Sequence, residues 1–356
     1  MNFWRSPAWL AASIRHKLLA MALLPLAVVF PLLVLALTLW SNVAYERLMI
    51  TKVRADLAVA QGYFEQVLSE VGSGTWGVAA SHALVQTLQQ QRPTDTLLAQ
   101  ERGRLRLDFL NFYPTGSPAL PPALAATLPG GDLPHSAARL MLLPPETVRA
   151  IAPAVSERLR IPLVPTRNAT PTDRSTEDRA MVMLSTLPVR DDAGQLLGVL
   201  SGGLLLNQNL DFIDHINRIV YPEGSLPFGS QGTATLFLDD VRITTNVRLF
   251  QDQRAVGTRV SQEVRNAVLG QGQTWLDRAF VVNDWYVSAY QPLLDADEQR
   301  IGMLYVGYLE KPFRWVRYAM VAVIGLIFLA VMAAAAVFSV RWARSIFKPV
   351  EQMNQT

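Results

Sequence analysis

Leu18–Trp40 reads LLAMALLPLAVVFPLLVLALTLW, 23 residues without a charged side chain, and Tyr318–Val340 reads YAMVAVIGLIFLAVMAAAAVFSV, another 23. At about 1.5 Å rise per residue each reaches roughly 35 Å as a helix, enough for a bilayer core of about 30 Å. A chain that crosses a bilayer twice must fold everything between the crossings on one side. The two runs also explain a composition that is 50% apolar and only 17% charged. Pro25 and Pro31 would break a soluble helix but are tolerated in membrane spans. The apolar stretch of a cleavable signal peptide is only about 7–15 residues long. The first run is longer and leads through Trp40 to Tyr45, aromatic residues suited to a bilayer interface. It reads as an uncleaved anchor.

Basic residues set the orientation. Arg5, Arg15 and Lys17 precede the first run, and Arg341, Arg344 and Lys348 follow the second, so both ends are expected in the cytoplasm. Residues 41–317 are then expected outside. Arg314 and Arg317 lie on the outer side, but a domain of that size translocates largely regardless of charge. A net charge of +3, with basic residues scattered, gives no footprint for nucleic acid. The absence of cysteine excludes disulfides and zinc–cysteine sites, so the outer region must hold together by its core.

After the first run, Val53, Leu57, Ala60, Phe64, Val67 and Val71 recur at helical spacing, predicting a stalk helix over 41–72. One face of it packs on the outer domain, and near the membrane the same face suits a seam between two copies. Leu105–Gly116 predicts a strand running into a Pro-Thr-Gly turn, followed by a Pro/Ala/Gly-rich stretch to Pro134 and a helix over Glu146–Arg160. Pro162–Asp178 is polar and rich in Pro and Thr, and reads as a surface loop. Strands follow at Arg179–Arg190 and Gln195–Leu206, then a helix through Phe212, Ile213, Ile216, Ile219 and Val220. The turn-rich Tyr221–Gly232 is the best internal boundary, dividing 73–221 from 222–317. Beyond it a hairpin is expected around Asp239-Asp240, with Val241, Ile243, Thr245 and Val247 on one face and Arg242, Thr244 and Asn246 on the other. A short helix at Ser261–Leu269, a hairpin around Asn283-Asp284 and a last strand Arg300–Leu309 complete the second half.

One stretch is written twice. LPVRDDAGQLLGVLSGG (187–203) and QPLLDADEQRIGMLYVG (291–307) align at an offset of 104 without a gap, with six identities in 17 positions. The coincidences are Pro188/Pro292, Asp191/Asp295, Gln195/Gln299, Gly198/Gly302, Leu200/Leu304 and Gly203/Gly307. Each copy reads as strand, acidic turn, strand, and closes its half. Two small antiparallel sheets in tandem on one long helix is the economical α+β architecture.

Catalytic patterns are missing. His16, His82, His135 and His215 are far apart, no G-x-S-x-G elbow occurs, and LSGG (200–203) lacks the Gly-Lys phosphate loop that a nucleotide site needs. Neither a metal nor a cofactor is expected. What remains is a binding site. Arg179 and Arg278 stand beside apolar strands, where a guanidinium can hold a carboxylate bidentately, unless they pair with local acids such as Glu177 or Asp277. Trp285, Tyr286 and Tyr290 offer aromatic walls with polar handles. Asp108 and Tyr113, on the first strand, and Met181 complete the candidate set.

GTATLFLDDVRITTNV, GTRVSQEV, AFVVNDWYVSAYQPL and IGMLYVGYLEKPF resemble the membrane-proximal Cache module of bacterial sensor histidine kinases. IPLVPTRNATPT, LGVLSGGLLLNQNLDFIDHI and VRADLAVAQ resemble the distal module and stalk of that group. The resemblance covers most of 45–313. It implies two PAS-like Cache modules between transmembrane helices at 18–40 and 318–340, in a homodimer of the bacterial inner membrane. It also implies a small-molecule ligand, often an amino acid or carboxylate and usually in the distal module, although the motif of the amino-acid-binding branch is not visible. RWARSIFKPVEQMNQT (341–356) resembles the start of a HAMP linker, with Ile346, Val350 and Met353 at 4–3 spacing and Pro349 where such a helix carries one. The output domain is then expected beyond residue 356: a histidine kinase, or a chemoreceptor or diguanylate cyclase. Sensing through a periplasmic partner protein is the other reading.

Overall fold

The computed structural model describes residues 14–128, 138–249 and 253–353. Arg5, part of the Pro/Ala/Gly-rich stretch and the last three residues lie outside that set, as do the side chains of Ile346, Val350 and Met353. The chain divides into two units, Ile50–Glu310 and the flanking Met1–Met49 with Lys311–Thr356.

The flanking unit holds most of the apolar runs. Helix α1 (Ile14–Ala79) runs unbroken past Pro25 and Pro31 and ends seven residues beyond the expected 72. Helix α8 (Lys311–Met353) follows the last strand after one residue. Both contain segments long and apolar enough to cross a membrane, with mean hydropathy 1.9 and 2.8. Phe30 and Phe328 stack at 3.8 Å, and Arg317 Nη1 donates to Asn42 Oδ1 at 2.7 Å.

In the unit Ile50–Glu310, α1 buries Val53, Leu57, Ala60, Phe64 and Val71, the stripe its spacing predicts. Helices α2 (His82–Gln89) and α3 (Asp95–Arg104) follow, the first capped by Ser81 Oγ accepting from Leu84 N at 3.2 Å. The distal sheet comprises β1 (Phe109–Pro114), β2 (Ala138–Leu143), β5 (Ala180–Arg190) and β6 (Leu196–Leu205), in the order β1-β6-β5-β2, all antiparallel. Between β1 and β2 lies the single turn α4 (Pro122–Ala125). The helix expected over 146–160 is broken into α5 (Pro145–Ile151) and a 3-10 segment, Pro153–Leu159. Pro153 is the cause: it has no N–H to donate, and it pushes Ala152 out of the helical region to φ −141°, ψ 59°.

Pro162–Asp178 is a largely exposed loop, as its composition predicts, but it is anchored to its surroundings. Two short strands, β3 (Ile161–Pro162) and β4 (Thr176–Glu177), pair across its base, and the stretch between them straps the second module. Val164 N donates to Gly257 O at 2.9 Å, Arg259 N to Thr166 Oγ1 at 2.9 Å, and Gln262 N to Asn168 O at 2.7 Å. Thr166 supplies the one side-chain acceptor among these bonds, and residues 171–175 are exposed.

Helix α6 (Leu210–Val220), capped by Asn209, joins the modules and buries Phe212, Ile213, Ile216 and Val220. The proximal sheet comprises β7 (Gly232–Leu238), β8 (Val241–Thr245), β9 (Trp275–Val281), β10 (Asp284–Leu294) and β11 (Arg300–Leu309), in the order β8-β7-β11-β10-β9. Helix α7 (Gln262–Arg265) and a π-helical turn (Asn266–Gly270) cover one face.

The duplicated stretch folds twice in the same way. Both hairpins shift register at the same place, Val189/Arg190 and Leu293/Leu294. Asp191 Oδ1 accepts from Ala193 N and Gln195 N, and Asp295 Oδ1 from Asp297 N and Gln299 N, all between 2.8 and 3.0 Å. The aspartate turns therefore set the hairpin registers. β6 and β11 hold corresponding central places, and the distal sheet lacks a partner for the extra edge strand β8. Gly198 and Gly302 share one constraint: an added Cβ would sit 2.3 Å from Tyr113 O and 2.0 Å from Phe237 O, on the neighbouring strand.

Candidate functional site

The proximal module has a charge inside it. Arg242 lies on β8 and is 2% exposed. Strict alternation from Val241 puts it on the outer face, and the structure corrects that reading. A bulge in β7–β8 at Leu236/Phe237 pairs Arg242 directly with Phe237, and cross-strand partners face the same side of a sheet. Phe237 belongs to the apolar cluster under α7, so Arg242 turns inward with it. The segment 255–260 then covers the outer edge of β8: Arg242 N donates to Thr258 O, and Gly257 N to Arg242 O, each at 2.9 Å.

The surroundings of Arg242 are aromatic. Its guanidinium carbon lies 4.9 Å from the Phe237 ring centroid. Tyr286, Tyr290 and Tyr305 belong to the same cluster, the last two 4.6 Å apart between centroids. Val264, Val268 and Leu269, from α7 and the π turn, close it above. Each large side chain buried here contributes about 1.5–3 kcal/mol of hydrophobic stabilisation, which holds a module built around a charge.

Polar satisfaction around Arg242 is incomplete. Nη1 donates to Thr258 Oγ1, and Nε has no partner among the described residues. No carboxylate pairs with Arg242 among those residues. Burial pulls its pKa below the ordinary value, against the pull of the neighbouring tyrosines. Burial in turn pushes the Tyr290 phenol up to about 12, and Tyr286 and Tyr305 are raised by the same cause. All three are neutral at physiological pH and present O–H groups.

Beside this interior lies a cleft of about 500 Å³, lined by Asn168 of the strap, Gln262, Asn266, Trp275, Arg278 and Trp285. Trp275 packs against the Arg242 cluster as well, and its buried Nε1 has no partner among the described residues. Two other clefts are comparably large: about 420 Å³ between the second hairpin turn and α1, and about 560 Å³ beside Tyr63 and His215. None of the unpartnered buried polar atoms belongs to a residue lining either.

The eight residues singled out by sequence do not converge on one cavity. Arg179 pairs with the buried Glu177, Nε to Oε1 at 2.9 Å and Nη2 to Oε2 at 2.7 Å. Asp108 closes the end of β6, accepting from Leu205 N at 2.7 Å and from Arg158 Nη1 at 3.2 Å. Tyr113 packs in the distal core beneath Val148 and Ile151. Met181 is fully buried, and its methyl occupies the space that a side chain at Gly302 of the other module would need. Arg278 pairs through Nε with Glu310 at 3.0 Å, and its backbone N donates to Asp277 Oδ1 at 2.7 Å. Trp285 is half exposed at the cleft, edge-on to Phe280. Tyr286 and Tyr290 are core residues beside Arg242. Arg278, Trp285, Tyr286 and Tyr290 thus fall in the proximal module, and the other four serve the distal one and its junction. Arg242 was missed because a bulge is invisible to periodicity. A lone arginine in TLFLDDVRITT was the available signal.

Residues 204–319 match the family described as Single cache domain 3. No curated protein sequence matches the chain. Among solved structures, the periplasmic domain of Vibrio cholerae LuxQ is 11% identical, with 72% of this chain and 100% of that one covered at a TM-score of 0.41. The ligand-binding domain of the Pseudomonas aeruginosa PAO1 amino acid chemoreceptor PctB, solved with L-Arg, is 15% identical over 76% and 97% at 0.32. The sensory domain of the Campylobacter jejuni chemoreceptor Tlp3, solved with isoleucine, is 9% identical over 77% and 96% at 0.33. Scores this low fix no common fold, so the assignment rests on the family match and the internal repeat. Residues 204–319 are thus a Cache module by family match, and their strand order and closing hairpin recur upstream in the sheet of β1, β6, β5 and β2.

Proposed function

We propose that this chain is the sensory portion of a bacterial transmembrane receptor, of the sensor histidine kinase or chemoreceptor kind. A small molecule is bound outside by the proximal module. The observation that carries this is Arg242, a buried cation with no carboxylate paired to it among the described residues, in the module joined directly to α8. A protein interior tolerates such a charge poorly unless something neutralises it, and a transient ligand is the economical solution.

In this reading residues 41–317 face the periplasm of an inner-membrane protein with two spans, and the basic residues at both ends lie in the cytoplasm. Two copies pair through α1. The helix beyond Val340 begins a HAMP-type linker that passes the signal to an output domain. Ligand on Arg242 would shift α7 and β11, and β11 leads through Glu310 into α8. Such a ligand has only to favour one of two packings of that junction.

The test is thermal unfolding of the full chain in lipid nanodiscs against a panel of small carboxylates, amino acids and amines. Binding raises Tm in proportion to the logarithm of ligand concentration above Kd. A panel without any response would sink the reading.

A further inference from the structure

Lys311, Arg314 and Arg317 precede the second apolar run, on the side where the orientation rule does not place basic residues. With Arg47, the outer ends of the two runs (residues 41–49 and 311–318) carry four basic side chains against one acid, Glu46. Neither orientation nor the ligand site uses that excess.

Helix α8 divides these cations between two faces. Arg317 faces α1. Its Nη1 donates to Asn42 Oδ1 at 2.7 Å, and its guanidinium carbon lies 5.4 Å from the Tyr45 ring centroid and 5.1 Å from that of Tyr318. Phe313 and Val316 share that side and, like Arg317, are half-buried. Lys311, Arg314, Trp315 and Tyr318 recur at i, i+3, i+4 and i+7, one face of the helix, and all four are exposed. Among the described residues, no hydrogen bond or ion pair holds the side chain of Lys311 or Arg314.

Height decides what these side chains meet. Tyr318 begins the uncharged run. At about 1.5 Å rise per residue, Arg314 lies roughly 6 Å above it and Lys311 roughly 10 Å. The polar layer on each side of a bilayer core is roughly 5–8 Å deep. Arg314 is therefore level with lipid phosphates, and the flexible stem of Lys311 lets its ammonium reach them from above. Trp315 and Tyr318 supply amphipathic rings suited to that depth. A zwitterionic headgroup brings its own ammonium, which two neighbouring cations repel. An anionic headgroup brings its phosphate without one.

We propose that the start of α8 binds the headgroup of an anionic phospholipid, held by Lys311 and Arg314 and bracketed by Trp315 and Tyr318. This rests on the two-span reading above. Because α8 follows the last strand after one residue, a lipid held there fixes the depth and rotation of the helix that carries the signal.

The chain has no cysteine, so Ala319→Cys places a single bimane fluorophore on the same exposed face. The labelled full chain is reconstituted in mixtures of phosphatidylglycerol and phosphatidylcholine, with one or the other brominated in its acyl chains as quencher. Brominated phosphatidylglycerol is expected to occupy this face at least about threefold more strongly than brominated phosphatidylcholine. Each basic side chain near a charged surface contributes about a fivefold preference, which salt reduces. Lys311→Gln with Arg314→Gln should bring the ratio to about one. Arg341→Gln with Arg344→Gln, beyond the other end of the run, should leave it unchanged. Equal occupancy by the two lipids in the labelled parent overturns the proposal. A preference that survives Lys311→Gln with Arg314→Gln, or that disappears in Arg341→Gln with Arg344→Gln, overturns the site. A fluorophore that neither lipid quenches shows α8 outside the bilayer and overturns the two-span reading itself.

Discussion

Arg278 Nε lies 3.0 Å from Glu310 Oε1, so an edge-strand arginine holds the last residue before α8. Glu310 is buried, and its backbone N also donates to Trp285 O at 3.1 Å. Arg278 and Trp285 both line the cleft beside the Arg242 cluster. The wall of the cleft and the exit of β11 are therefore one hydrogen-bonded assembly.

Arg278→Ala should destabilise the outer unit by about 1–3 kcal/mol, because it leaves the Glu310 carboxylate buried without its cation while Arg278 itself is partly exposed. Glu310→Gln should cost less, since an amide still accepts from the guanidinium. Chemical denaturation of both variants checks the order, and equal losses would contradict it.

Lys52 offers a second contact at the same end of the unit. Its Nζ lies 5.3 Å from the Tyr221 ring centroid and 5.2 Å from that of Tyr308, while pairing with Asp56 at 2.9 Å. Lys52→Met keeps the stem and removes the charge. It should cost about 1–2 kcal/mol through lost cation–π attraction and an unpaired Asp56. Adding Asp56→Asn to Lys52→Met removes the unpaired carboxylate as well and should recover part of the loss. Chemical denaturation showing no recovery in the double variant would contradict the pairing.

The glycines of the duplicated hairpins make a graded prediction. Gly302→Ala and Gly198→Ala push a Cβ into a neighbouring backbone carbonyl and should each cost about 3 kcal/mol or more. Gly194→Ala meets no atom but sits at φ +80°, so it should cost only about 1 kcal/mol. Urea denaturation of the three variants measures the ranking.

Acid sensitivity should arise in part from Glu177. Burial pushes its carboxyl up, but hydrogen bonds from Arg179 and Arg174 overcome that and hold it below its ordinary 4.5. A depressed folded-state pKa means the stabilisation is complete above the unfolded value and is lost as pH falls through the folded one. Glu177→Gln should therefore lower stability at pH 7 and flatten the acid limb of the Tm–pH curve below about pH 4.5. An acid limb as steep as in the parent protein would refute this.

The order of elements was written in local chemistry. Uncharged runs marked α1 and α8, a 3–4 spacing marked the buried stripe of the stalk, and aspartate turns marked both hairpins, because each signal depends only on residues close in sequence. The offset of 104 foretold that Asp191 and Asp295 would make the same bonds. The tertiary structure decided what depends on distant partners. Arg179 had Glu177 two residues away and took it. Arg278 reaches Glu310, 32 positions on, because β9 and β10 bring it beside the end of β11. The loop at 162–178 became a strap because the edge of the second module offered backbone partners. Arg242 moved to the inside because one extra residue in a bulge reverses every side chain beyond it, a choice fixed by how β7 packs and not by the alternation of β8.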